Sequence, residues 1–323
     1  MLPLSDLTDL TDQITLPSIA GAGIPIALVG AVFLALGAQF QHKGVERMEE
    51  LRGQQSGGLS VRSLLALLAR PAWVIGTVML GLAILFQLTS LTLSPILVVQ
   101  PVGALALVIT AILNARLTKT ALDRKSIQAI VMCVGGVAIF VTIAALFAQS
   151  PPITELQLSI VLILLGVVLV VFGVLFVTLR KRIGAMFYIF GAGVLFGFVA
   201  TLAKVVIDRI KTLLTITDMP SNGEWLLIGC IVAALVAALL GSYFVQTAYA
   251  SGPPDLVVAG LTVIDPLVAV VIGIVVLGEA GRVPFWAVII FVIAGAIAVW
   301  GVLALARHHP QLRVNDSLEK PLG

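Results

Sequence analysis

The chain has 323 residues, of which 60% are hydrophobic and only 11% charged, whereas a typical soluble domain is roughly a quarter charged. No soluble fold hides that much apolar surface, and spans of about 20 residues each use up nearly the whole length, which excludes a separate catalytic domain. The formal net charge of +3 comes from short basic clusters between apolar runs, a pattern of membrane topology and not of a nucleic-acid partner.

In chain order, residues 1–20 carry Asp6, Asp9 and Asp12 and no Lys or Arg. They lack the basic start of a signal peptide, so the first span is expected to target itself. Hydropathy then predicts an all-α, polytopic membrane protein of about nine spans: 21–40, 71–91, 95–115, 126–148, 157–179, 184–207, 225–250, 255–278 and 283–306. The polar connection 41–70 reads as an interfacial elbow, with Ser60 able to cap a short helix and Pro71 to break it before span 2. Cys133 and Cys230 fall inside spans and read as small buried hydrophobes.

Alternate loops differ sharply in charge. One set holds Lys43, Arg47, Arg52, Arg62 and Arg70, then Arg116, Lys119, Arg124 and Lys125, then Arg180, Lys181 and Arg182, and finally Arg307, Arg313 and Lys320 in the tail. The other holds only Arg209, Lys211 and Arg282, with Lys204 inside span 6. The basic set belongs on the cytoplasmic side, which predicts an external N-terminus and a cytoplasmic C-terminus in the plasma membrane.

Spans 1 to 4 match spans 6 to 9 in order. Ala31, Ala35, Gln39 and His42 fall opposite Gly193, Gly197, Thr201 and Lys204. Gln100-Pro101 aligns with Asp265-Pro266, and Asn114 and Glu279 each follow their proline by thirteen residues. Gly136 aligns with Gly295 at a slightly different offset. One spacer helix between two four-helix units forces opposite polarity on the second, which is an inverted repeat of the kind found in secondary transporters. The expected organisation is an external segment (1–20), a first repeat (21–148), a spacer with its loops (149–183), a second repeat (184–306) and a cytoplasmic tail (307–323).

The stretch 248–279, with Asp265-Pro266 and its closing Leu277-Gly278-Glu279, resembles the end of an EamA-like repeat in the drug/metabolite transporter superfamily. Residues 93–105, Leu93-Ser94-Pro95-Ile96-Leu97-Val98-Val99-Gln100-Pro101-Val102-Gly103-Ala104-Leu105, are similar to the NIPA-type magnesium transporter branch, which also has about nine spans. The resemblance covers roughly residues 21–306. It implies a pseudo-symmetric carrier with a central cavity and alternating access, in a superfamily that exports drugs and amino acids, exchanges sugar phosphates or nucleotide sugars, or moves cations. The first repeat ends in Asn114-Ala115-Arg116 where that superfamily tends to have an acidic residue, so no function passes to this position.

An ionisable group in hydrocarbon is costly unless paired or hydrated, which makes each one a site candidate. Asp265 lies mid-span beside Pro266, whose missing N–H frees a carbonyl that can join the carboxylate around an ion. It is also the one metal-ligand candidate, and a neutral Asp bonded to a neighbouring helix is its structural alternative. Lys204, near the end of span 6, either snorkels to the outer interface, pairs with Asp208, or contacts substrate. Thr201 lies on the same face. Gln39, Gln87, Gln100 and Gln246 recur at matching places in the halves and offer amides to a solute or to another helix, Gln100 first because it aligns with Asp265. Pro101 and Pro266 are hinge candidates, and Glu279 reads as a positional residue at the outer interface near Arg282. No zinc-ligand, phosphate-loop or nucleophile pattern is present, so no cofactor and no enzyme activity are expected.

The expected partners are the lipid bilayer, a small-molecule or cation substrate, a coupling ion, and a second copy in a homodimer. A secondary carrier of small solutes accounts best for these features. A magnesium-like transporter is the alternative, followed by a non-transport scaffold or lipid-handling protein.

Overall fold

The computed structural model describes residues 22–41, 43, 69–117, 119, 122–179, 184–215, 223–251 and 254–307. Among these the regular structure is helical, and nine spans are long and apolar enough to cross a membrane. The helices are α1 (Ala22–Gln41), α2 (Pro71–Leu93), α3 (Ile96–Gly103), α4 (Leu105–Leu117), α5 (Arg124–Phe147), α6 (Glu155–Leu179), α7 (Ala185–Thr215), α8 (Gly223–Ser251), α9 (Pro254–Val275) and α10 (Phe285–Arg307). In lipid no water satisfies backbone groups, so apolar runs of this length must pair their N–H and C=O groups internally. The expected external segment, the Ser60 cap, His42 and residues 308–323 of the expected cytoplasmic tail lie outside the described residues.

Span boundaries follow local chemistry. Pro71 stands in the first turn of α2, where a missing N–H costs nothing. Asp123 accepts the N–H of Ser126 at 2.8 Å to start α5. Thr154 and Gln157 cap α6 reciprocally, Gln157 Oε1 accepting from Thr154 N (2.9 Å) and Thr154 Oγ1 from Gln157 N (3.3 Å). Span 3 is broken: α3 ends at Gly103, and the N–H of Ala104 turns back to Pro101 O at 3.2 Å. Span 8 runs unbroken through Pro266 as α9, so the two candidate hinges differ.

Small residues decide which helices touch, because lipid removes the hydrophobic drive between them. Down α1, Gly23, Gly30 and Gly37 face Ser90, Ala83 and Gly76 of α2, every second turn of an antiparallel pair. A Cβ on Gly37 would lie 3.0 Å from Gly76 O. The α5–α10 contact is as close. A Cβ on Gly136 would lie 2.6 Å from Ala298 N and 2.7 Å from Ala294 O, and one on Gly301 would strike Cys133 N and Ala129 O. Each residue in this exchange has its counterpart 165 residues on, the separation that also relates Gln100 to Asp265. Gly295, expected to match Gly136, lines a cavity beside Phe140, while Gly301 makes the backbone contact reciprocal to that of Gly136. Two glycines in an apolar helix look alike in sequence, and only the backbone contact tells them apart.

Both cysteines are buried and free. The helix α6 is the most apolar of the set and buries little of its surface.

Candidate functional site

Two polar centres lie within the bundle. The first is in its middle, where α3 packs on α9. Pro101 and Pro266 both line one cavity of about 90 Å³, whose walls are apolar side chains from α5, α9 and α10 together with Ala104 and Thr262. The hydroxyl of Thr262 donates to Val258 O at 2.8 Å, within its own helix.

Beside the two prolines stand Gln100, 3% exposed, and Asp265. Among the described residues, Nε2 of Gln100 meets no acceptor and Oδ1 of Asp265 no donor. A buried polar atom left unsatisfied costs about 1–3 kcal/mol, more when charged, so the Gln100 amide and the Asp265 carboxyl are candidates to meet hydrogen-bonding groups of opposite character. Gly193 and Gly197 of α7 bring Asp265 close: a Cβ on Gly197 would lie 2.9 Å from Asp265 O. Thr201 is fully buried, with its hydroxyl committed to Gly197 O at 2.9 Å.

The second centre is at one end of the bundle, around the break Ser94-Pro95 between α2 and α3. Lys204, 2% exposed, donates to Leu91 O (2.8 Å) and Ser94 O (3.3 Å) and pairs with Asp208 at 3.1 Å. Lys211 donates to Thr92 O. Two ammonium groups thus serve the carbonyl end of α2, where the helix dipole is negative. Across the break, the carboxylate of Glu279 accepts from Ile96 N and Leu97 N, each at 2.8 Å, at the positive start of α3.

The segment Leu277-Gly278-Glu279 is built for this role. Leu277 is buried, Gly278 turns the chain in the left-handed region (φ 72°), and Glu279 is 1% exposed. Burial pushes the Glu279 carboxyl from 4.5 up to about 7, against the opposing pull of the Leu97 and Ile96 N–H groups and of Lys204. The same end is fastened by Gln149 N–H to Glu279 O (2.9 Å), Gln157 Nε2 to Val276 O (3.0 Å), Arg209 with Glu155 (3.2 Å), and Ser90 and Ser94 with the backbone of Gly23.

Of the alternatives for Lys204 the structure shows the pairing with Asp208: the ammonium meets that carboxylate and two carbonyls inside the bundle and does not snorkel. One expectation is corrected. Glu279 does not sit at an interface beside Arg282. It is enclosed, whereas Arg282 is exposed. Of the remaining amides, Gln39 is half-buried, and Gln87 and Gln246 are exposed. The expected importance of Glu279 was positional; its role in bridging two spans was missed, and its glycine-glutamate setting was the signal. Among the described residues no three His, Cys, Asp or Glu side chains gather as metal ligands.

Over 282 residues the chain is 30% identical to a Corynebacterium glutamicum protein that bears the name uncharacterized protein Cgl0250/cg0304, a match covering 87% of this chain and 93% of that protein. The chain belongs to that protein's family. No protein-family model matches it, and no solved structure does. The Cgl0250/cg0304 match covers most of both chains. The family's name carries no activity, and the chemistry is read from the site.

Proposed function

We propose that the protein is a secondary carrier that moves a small solute across the plasma membrane by alternating access, in the manner of the drug/metabolite transporter superfamily. The observation that carries this reading is that one buried polar atom on each of two packed helices, Gln100 Nε2 and Asp265 Oδ1, has no partner among the described residues. A carrier needs buried groups that a solute or a coupling ion can satisfy.

An inverted repeat is part of the proposal. It is supported by the reciprocal contacts of Gly136 and Gly301 and by the shared separation that links Gln100 to Asp265. The fastened end around Lys204 and Glu279 then serves as the closed side of the carrier, and the charge asymmetry of the loops assigns it to the outside. A magnesium-like activity rests on Asp265 and on the likeness of residues 93–105. Mg²⁺ prefers carboxylates with retained waters.

The test is uptake into proteoliposomes of a panel comprising Mg²⁺ and neutral and charged metabolites, with Asp265→Asn alongside. Movement of one panel member by the wild type and its loss in the variant is the expected result. A wild type that moves nothing, together with an indistinguishable variant, overturns the reading.

A further inference from the structure

A second opening lies away from both polar centres, where α4 and α5 splay apart at the loop that joins them. It is a groove of about 660 Å³ lined by Ile112, Ala115 and Arg116 of α4, by Lys119 and Leu122 of the connection, and by Ile127 and Ile130 of α5. Its walls divide by chemistry. The loop end presents a guanidinium and an ammonium, both exposed, and from one turn deeper the lining is aliphatic.

Part of the charge has a local explanation. Arg116 lies in the last turn of α4, and Lys119 follows it in the left-handed region (φ 54°), its N–H turned to Arg116 O at 3.4 Å. Cations at a helix C-terminus are favourable in themselves. That does not account for the open space between them and α5, nor for the absence of an acid among the described lining residues. Asp123, the acid next to the groove wall, is engaged with Ser126 N at the start of α5.

We propose that this groove is a binding site for an anionic phospholipid, with the phosphate between Arg116 and Lys119 and an acyl chain along Ile112, Ile127 and Ile130. The match is one of shape and charge together: cations at the membrane face, apolar walls directly beneath, on the side that the loop charges assign to the cytoplasm. Headgroup and chain are recognised at once, which a free phosphate cannot satisfy. The site stands whether or not the protein carries a solute, since lipid retention and not transport is its readout.

The experiment is native mass spectrometry of the full chain released from a neutral detergent, with phosphatidylglycerol and phosphatidylcholine of identical acyl chains added in turn. The wild type is expected to retain phosphatidylglycerol over phosphatidylcholine. Arg116→Gln/Lys119→Gln is expected to retain it about 30-fold less, at about fivefold for each cation near a membrane surface. Ile130→Trp, which fills the groove and keeps both charges, loses retention as well. Arg124→Gln/Lys125→Gln removes two exposed cations that do not line the groove and leaves retention unchanged. The proposal fails if this second pair lowers retention as much as the first, if phosphatidylcholine is held equally well, or if glycerol phosphate displaces the lipid.

Discussion

Lys204 and Glu279 hold the two sides of one break in the chain: the ammonium takes the carbonyls that end α2, and the carboxylate takes the N–H groups that begin α3. Each opposes the dipole of the helix end it meets. With Lys211 on Thr92 O, they satisfy backbone groups that the break would strand in the bundle, from α7 and from the turn after α9.

Glu279→Ala strands the N–H groups of Ile96 and Leu97, and should lower stability by about 2 kcal/mol or more. Glu279→Gln keeps one acceptor and should lose clearly less. Thermal unfolding in detergent, followed by size-exclusion recovery, orders the two variants. Equal losses would remove the capping role.

Glu279 also sets a pH dependence. Its carboxyl in the fold lies at about 7, above 4.5, so the fold favours the protonated form. Its contribution is complete below about 4.5 and is lost as pH rises through about 7, on the order of 3 kcal/mol across the window. Wild-type stability should therefore fall between pH 5 and pH 8 relative to Glu279→Gln, which has no proton to lose there. A constant difference between the two melting profiles over that range would contradict the shift.

Lys204→Met leaves Asp208 without its buried partner and removes the lysine donor from the Leu91 and Ser94 carbonyls. The loss should reach about 3 kcal/mol, at the low end for a broken buried pair because Asp208 keeps some water access. Adding Asp208→Asn should recover part of that loss. A double-mutant cycle giving no coupling would show the pair to be incidental.

Gly136→Ala and Gly301→Ala each drive a methyl into the backbone of the facing helix. Overpacking of this kind costs about 1–3 kcal/mol, and the reciprocal geometry predicts losses of similar size at the two positions. A large effect at one and none at the other would argue against the shared separation that underlies the proposed repeat.

Asp265→Asn should keep or raise thermal stability while abolishing uptake, because a buried group held for function is a cost to the fold. A variant that unfolds early instead would make Asp265 a structural residue bonded to its surroundings.

Much of the fold was legible in the sequence because a bilayer reads chain properties that are local. A run of about 20 apolar residues must be helical in lipid wherever it lies, and the nine expected spans agree with the structure to within a few residues, save the far ends of spans 6 and 8. Thus α7 runs past the expected end of span 6 to Thr215, carrying Lys204 and Asp208 within the helix.

The destinations of polar side chains were not legible in this way. Lys204 has the same stem and charge whether it snorkels or turns inward; what decides is that α2 ends beside it, with the Leu91 and Ser94 carbonyls within reach. Gly136 pairs with Ala294 and Ala298, and Gly301 with Ala129 and Cys133, because backbones can meet only where no Cβ intervenes, while Gly295 is free to border a cavity. The sequence by itself determined how many spans there are and that Gln100, Asp265, Lys204 and Glu279 must find partners or pay for their absence. Only the tertiary structure decided that Lys204 and Glu279 find them and that Gln100 and Asp265 each keep an atom unmatched, since a hydrogen bond depends on angstrom-scale placement of helices whose apolar surfaces are nearly interchangeable.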